Sequence, residues 1–239
     1  MWEATIKDVV LLVGRTAMRT KNLHNWDLNY KQAVDLQNRL AGRVRFVSLR
    51  KRPKIVAGLD CAFSRDGRKI FAVAVVTKLS TFEIIETKSA VRKVIFPYIP
   101  GLLSFREAPV CIAAVNKLKT EPDLFIIDGQ GIAHPRRLGL AAHLGLFFDR
   151  PTVGCAKSRL TGSFKEPAIQ KGCYSLLTHK GQTIGAVVRT RKNVKPVFVS
   201  VGNKCTLEDA VEVTMICTTK YRLPEPTRLA HQLVSKLKC

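Results

Sequence analysis

The sequence predicts a mixed α/β fold whose sheet opens as an antiparallel meander and continues with parallel strands of βαβ units. Three observations predict it. Strand-like runs at 55–63, 70–76 and 82–91 follow one another across short breaks. After a break at 97–101, helical spacing alternates with short, wholly apolar runs. Hydrophobic residues make up 46% of 239, enough to bury a sizeable core. No internal repeat or low-complexity linker interrupts the chain, so a single domain over 1–239 is expected: a helical segment over 1–50, then a core over 55–239.

In order along the chain, 1–50 reads as helical, with Ala33, Val34, Leu36 and Leu40 at helical spacing between Tyr30 and Leu40. The basic stretch Arg50-Lys51-Arg52-Pro53-Lys54 ends it. Ile55–Phe63 and Ile70–Val76 flank Ser64-Arg65-Asp66-Gly67, a turn signal that implies a hairpin, and Phe82–Val91 extends the meander. Two prolines and a glycine in Pro97-Tyr98-Ile99-Pro100-Gly101 rule out regular structure there. Ser104 to Leu118 reads as a helix, Leu124–Asp128 as a buried strand ending in a carboxylate, 135–147 as a helix and Thr152–Ala156 as a strand. Ile184–Thr190 and Val197–Val201 read as further strands. Leu207–Thr218, capped by Thr206, and Thr227–Leu237 read as closing helices.

Lys plus Arg number 40 against 18 Asp plus Glu, a formal charge of +22. That imbalance favours a polyanionic partner, nucleic acid before an anionic membrane surface, over a merely basic globular protein. Seven scattered cysteines form no CxxC pair, which argues against a zinc ribbon and for small core residues in a reducing compartment. No apolar run approaches the roughly 18 residues of a membrane span. The short apolar piece Val9–Val13 lacks a small-residue cleavage site, so a cytoplasmic protein is expected.

With acids so scarce, those inside apolar stretches stand out. Asp60 interrupts Ile55-Val-Ala-Gly-Leu-Asp-Cys-Ala-Phe63, a strand apolar on both faces, where a lone charge costs several kcal/mol unless compensated. Asp128 closes an apolar strand just before Gly129-Gln130-Gly131, at the carboxyl end where open α/β sheets place ligands. The alternatives are an aspartate bonded to backbone amides and a turn-initiating aspartate. Glu107 fits the capping box Ser104-Phe-Arg-Glu107 but also faces the apolar side of its helix, and both readings stay open. Divalent cations would turn such acids into an asset: hydrolysing a phosphodiester needs an activated water and a neutralised leaving oxygen, and carboxylates are the natural ligands of the hard cations that supply both.

The segments Phe96-Pro-Tyr-Ile-Pro-Gly-Leu-Leu-Ser-Phe-Arg-Glu107, Asp128-Gly-Gln-Gly-Ile-Ala-His-Pro-Arg-Arg-Leu-Gly139, Pro151-Thr-Val-Gly-Cys-Ala-Lys-Ser-Arg-Leu160 and Tyr221-Arg-Leu-Pro-Glu-Pro-Thr-Arg-Leu-Ala-His231 closely resemble endonuclease V, the deoxyinosine 3′ endonuclease family. The resemblance runs from about residue 30 to the end and leaves 1–20 without a counterpart. It implies a ribonuclease H-like fold, a mixed sheet flanked by helices. It also implies hydrolysis of the second phosphodiester 3′ to a deaminated base, chiefly inosine, with a 5′-phosphate product. Mg²⁺ is the implied cofactor, with Mn²⁺ able to substitute. DNA carrying deaminated bases is the implied partner, RNA an open alternative, and no obligate protein partner is expected of a monomer.

By matching motif positions, Asp60, Glu107 and Asp128 fall on the family's metal ligands and His231 on a further ligand or orienting group. Lys157 falls on a catalytic lysine and Tyr98 on a wedge that fills the space left by a base swung out of the stack. Gly101, Leu103, Gly129, His134 and Gly139 fall around the pocket for that base. Three departures stand out: Cys61-Ala62-Phe63 after Asp60, Cys155 for an aliphatic residue, and Gln130 where histidine is common. Two other classes remain conceivable, a non-catalytic nucleic-acid-binding module and another nuclease of this fold such as a junction resolvase. Intact carboxylates argue against the first, because a binder gains nothing from acids that repel phosphate.

Overall fold

The computed structural model describes residues 18–238. The apolar piece Val9–Val13 and Cys239 lie outside the described residues. Eight strands form one sheet: β1 (Ile55–Phe63), β2 (Lys69–Lys78), β3 (Ile84–Lys93), β4 (Leu124–Ile127), β5 (Thr152–Ala156), β6 (Tyr174–His179), β7 (Gln182–Val188) and β8 (Val197–Asn203). Their spatial order is β3-β2-β1-β4-β5-β8-β7-β6. β1, β4 and β5 are parallel neighbours, and the pairs outside them are antiparallel, as expected of a meander joined to βαβ units.

Helices cover both faces. Ala57, Leu59, Phe125 and Ile127 pack under α2 (Leu103–Val115) and α3 (Leu140–Phe148). On the other face Val56, Leu124, Ile126 and Val199 join the cluster that contains Ala210, Val211 and Val213 of α4 (Leu207–Ile216). Ala230 and Val234 of α5 (Glu225–Leu237) lie on Val73 and Val75 of β2. Thr206 caps α4 as expected, forming a reciprocal capping box with Asp209. Among the described residues no helix is long and apolar enough to cross a membrane.

Several expectations are corrected. Of 1–50, the described helix is only α1 (Tyr30–Ala41), started by a capping box between Asn29 and Gln32. The flanks are held by other elements instead: Met18 N–H bonds Leu118 O, Lys21 N–H bonds Phe147 O, and Leu49 N–H bonds Asp209 Oδ2. The helix expected from 135 begins only at Leu140, because 131–139 is a loop tied to β8 by Ile132 N–H to Val201 O and closed on itself by Gly139 N–H to Gly131 O. The Ser104–Glu107 capping box does not form. Leu102 is the N-cap of α2, and Ser104, already inside the helix, bonds Nδ1 of His143 at 3.0 Å. β6, an edge strand, was not anticipated.

Gly58 sets how closely α5 approaches. A Cβ there would lie 2.0 Å from the carbonyl carbon of Pro226, so only glycine lets the helix N-terminus rest on β1. Gly58→Ala is expected to cost about 1–3 kcal/mol or more, since the clash is with backbone. A denaturant midpoint unchanged from wild type would contradict this.

Candidate metal centre and base-sized cavity

The parallel register fixes the first feature of the site. Leu59 pairs with Ile127, and Asp128 N–H bonds Leu59 O at 3.0 Å, so Asp128, just past the carboxyl end of β4, lies beside Asp60, which sits within β1. The preceding register pair of β4 and β5 joins Ile127 to Gly154, which brings Lys157 to the same rim just past β5. His231 reaches the rim from α5. Single ligand atoms of Asp60, Asp128 and His231 all lie within 4.8 Å of one another.

Each of these groups is engaged. Asp60 Oδ1 accepts the Cys61 N–H at 2.8 Å and Oδ2 faces His231 Nδ1 at 2.6 Å. Lys157 Nζ donates to Asp128 Oδ2 at 2.5 Å. Burial, then the charge of Asp128, pushes Asp60 up to about 6, against the opposing pull of its bond with His231. Glu107 stands outside the close trio. Its carboxyl is buried on the α2 side beside the Cys61 thiol, and burial, with further repulsion from Asp60 and Asp128, raises it to about 8. The structure therefore brings together Asp60, Asp128, His231 and Lys157, and sets Glu107 behind them within reach of their charge.

This donor set fits a hard divalent cation. Carboxylate oxygens are the natural ligands of such an ion and an imidazole can join them, and a centre of double positive charge would favour the charged carboxylates against the burial, and the lesser mutual repulsion, that raise Asp60 and Glu107. The Cys61 and Cys111 sulfurs lie 4.0 Å apart as free thiols beneath it.

Beside the rim lies a cavity of about 150 Å³. That is close to the size of an apolar protein cavity that admits benzene, about 150 Å³, so it suits one ring system and not a whole nucleotide. Tyr98, Gly101, Leu103, Gly129, His134 and Gly139, the residues expected around a base, all line it. Tyr98 is 69% exposed at the mouth, with Arg106 5.9 Å from its ring centroid. His134 is not at a helix start. Its Nε2 donates to Gly101 O at 3.0 Å and its Nδ1 accepts the Arg136 N–H at 3.1 Å, while burial lowers its pKa to about 4.

Three residues of the site were not anticipated. Gln37, buried in α1, donates to Gly101 O at 3.1 Å and Leu138 O at 2.7 Å and accepts from Arg136 Nε, so it ties together the two loops of the cavity. Arg136 Nη2 adds another donor to Gly101 O at 2.8 Å. Gly101 itself sits at φ +79°, a region that favours glycine. Arg222 donates to Lys157 O and Pro196 O, each at 2.7 Å, and so steadies the lysine's strand end. Only Gln37 carried a sequence signal, a polar residue on the Ala33–Leu36–Leu40 face of a helix.

The chain matches the family model described as Endonuclease V over residues 38–232. It is 48% identical to the Endonuclease V of Methanothrix thermoacetophila over 219 residues, covering 92% of this chain and 96% of that one. It superposes with a TM-score of 0.85 on the crystal structure of Endonuclease V from Streptomyces avermitilis, at 39% identity over 93% of this chain and 97% of that one. A Ciona intestinalis Endonuclease V, crystallised with a 24mer DNA containing an inosine followed by a ribo-adenosine, matches at TM-score 0.73 and 28% identity, covering 85% and 95% of the two chains.

The raised carboxyls fix a pH dependence. A carboxyl whose folded-state pKa lies above its unfolded value lends stability at low pH, and that stability is lost as pH rises through the folded value. For Glu107 the window runs from ordinary carboxylate values to about 8. The buried histidines, whose values are lowered, act in the opposite direction but only below their ordinary value of about 6.5. The metal-free protein should therefore melt lower as pH rises from neutral to mildly alkaline, and Glu107→Gln should flatten that slope. Equal slopes for variant and wild type in a melting series would contradict it.

Proposed function

The chain belongs to the endonuclease V family, and from that membership, the acidic rim and the cavity beside it we propose that it is a divalent-metal-dependent endonuclease that finds a deaminated base, chiefly inosine in DNA, and hydrolyses the second phosphodiester 3′ to it. One observation carries the reading: two of the segments that carry the acids also line the cavity. Leu103 and Ser104 line the cavity one turn before Glu107, and Gly129 and Gln130 line it directly after Asp128. A base held in the cavity thus places its own strand against the acids.

Asp60, Asp128 and His231 would hold the metal, with Glu107 beside them. When bound, the metal supplies charge neutralisation and acidifies water. The chain's own groups do the rest. Lys157, 38% exposed and held at its ammonium by Asp128, offers a fixed cation to the phosphate being cut. Tyr98, braced between prolines, fills the gap left in the stack and offsets part of the unstacking cost. The clamp on Gly101 O keeps its loop in place. The Ciona complex with inosine-containing DNA supports the choice of base. The six free cysteines among the described residues agree with action in the reducing cytoplasm. The continuous sheet supports a chain that works as one domain.

The test is cleavage, side by side, of single-stranded DNA, duplex DNA and RNA, each with one inosine or one adenosine, in Mg²⁺ or Mn²⁺. The reading expects inosine-dependent cutting one nucleotide beyond the base, with 5′-phosphate ends. Asp60→Ala and Asp128→Ala should cut only at background while still binding. Tyr98→Ala should lower the inosine preference more than the chemical rate. Binding by wild type without cutting would leave a nucleic-acid-binding module, and equal cutting of lesion-free branched DNA a different nuclease.

A further inference from the structure

Ser104 is one of the residues that line the cavity, and the direction of its hydroxyl is fixed from a distance. Ser104 Oγ lies 3.0 Å from His143 Nδ1. His143 Nε2 lies 2.8 Å from His24 Nε2, and His24 Nδ1 lies 2.8 Å from the carbonyl oxygen of Asn25. The two rings stack at 5.0 Å between centroids, within an aromatic cluster that includes Trp26, Phe105 and Phe147. Burial lowers both histidines, His143 to about 3, so each is neutral and carries one ring proton.

The protons in this chain can be assigned one after another. A carbonyl oxygen only accepts, so the proton of His24 is on Nδ1 and its Nε2 is bare. His143 must then carry its proton on Nε2 to bond it, which leaves His143 Nδ1 bare. Ser104 must therefore donate its hydroxyl proton to His143, and what remains on the serine oxygen is lone pairs.

We propose that Ser104 is a specificity-determining residue, held by His143 and His24 as a hydrogen-bond acceptor for the base that enters the cavity. This rests on the base-binding reading given above. An acceptor that cannot turn its proton round welcomes a base edge that presents N–H and opposes one that presents a lone pair. Hypoxanthine has N1–H where adenine has a bare N1, so the same oxygen favours one and disfavours the other. Ser104 and Glu107 share the first turns of α2, so a base satisfied at Ser104 is registered on the helix that carries one of the acids.

Two measurements test this. In the first, kcat and KM are compared for strands with a single inosine or adenosine, using wild type, Ser104→Ala and Ser104→Thr. The inosine-to-adenosine ratio of kcat/KM should fall about 10- to 100-fold in Ser104→Ala and recover in Ser104→Thr, which keeps a hydroxyl, while binding of undamaged DNA stays level. In the second, long-range ¹⁵N–¹H spectra of the histidine rings in the free protein should show His143 protonated on Nε2 and His24 on Nδ1. A ratio unchanged in a folded Ser104→Ala, or the reverse tautomer at His143, overturns the role of Ser104. If wild type itself shows no preference for inosine, the base reading falls and this one with it.

Discussion

Two aspartates side by side where β4 ends against its parallel neighbour β1, with a third carboxyl buried behind them, are the constraint around which the molecule is organised. Neighbouring parallel strands in register bring Asp60 and Asp128 together, and burial denies them the water that would screen them. The surrounding features answer that repulsion. His231 and Lys157 each place a nitrogen on one aspartate. Gly58 lets the helix carrying His231 approach, and Arg222 holds the strand end carrying Lys157. Glu107 has no such partner among the described cations at contact distance, and it responds by holding its proton to about pH 8.

The same geometry joins the acids to the cavity. Short segments leaving β4 and entering α2 supply both an acid and a stretch of cavity wall. The loop bearing Tyr98 is held by converging donors on Gly101 O, from Gln37, His134 and Arg136. Together these three donors position the loop.

The parts of this structure legible in the sequence are those in which one local cause decides the outcome. β1, β4 and β5 are apolar on both faces and so had to be central strands, and an acid inside or just after them had to meet something compensating. The Thr206 cap and the Pro97–Gly101 break follow from capping and from proline geometry. What stayed hidden depends on distant partners. β6 is a half-exposed edge whose Tyr174 and Leu176 face outward, so it lacks an apolar signature. The late start of α3 reflects Gly139 bonding back to Gly131, and the loss of the Ser104 cap reflects His143, 39 residues away. Glu107 looked ambiguous because its spacing fitted a cap, and only the packing of α2 on β1 and β2 shows that its carboxyl is buried toward the rim.

Everything in this arrangement turns on whether the crowded carboxyls are a site for a divalent cation. Its most direct measurement is the number of protons released when Mn²⁺ binds the metal-free protein at neutral pH, read by calorimetry in buffers of different ionisation heat. Because Glu107 holds its proton to about pH 8 in the metal-free protein, binding should release protons, and Glu107→Gln should release fewer. No binding, or binding with no proton released by wild type, would contradict the account.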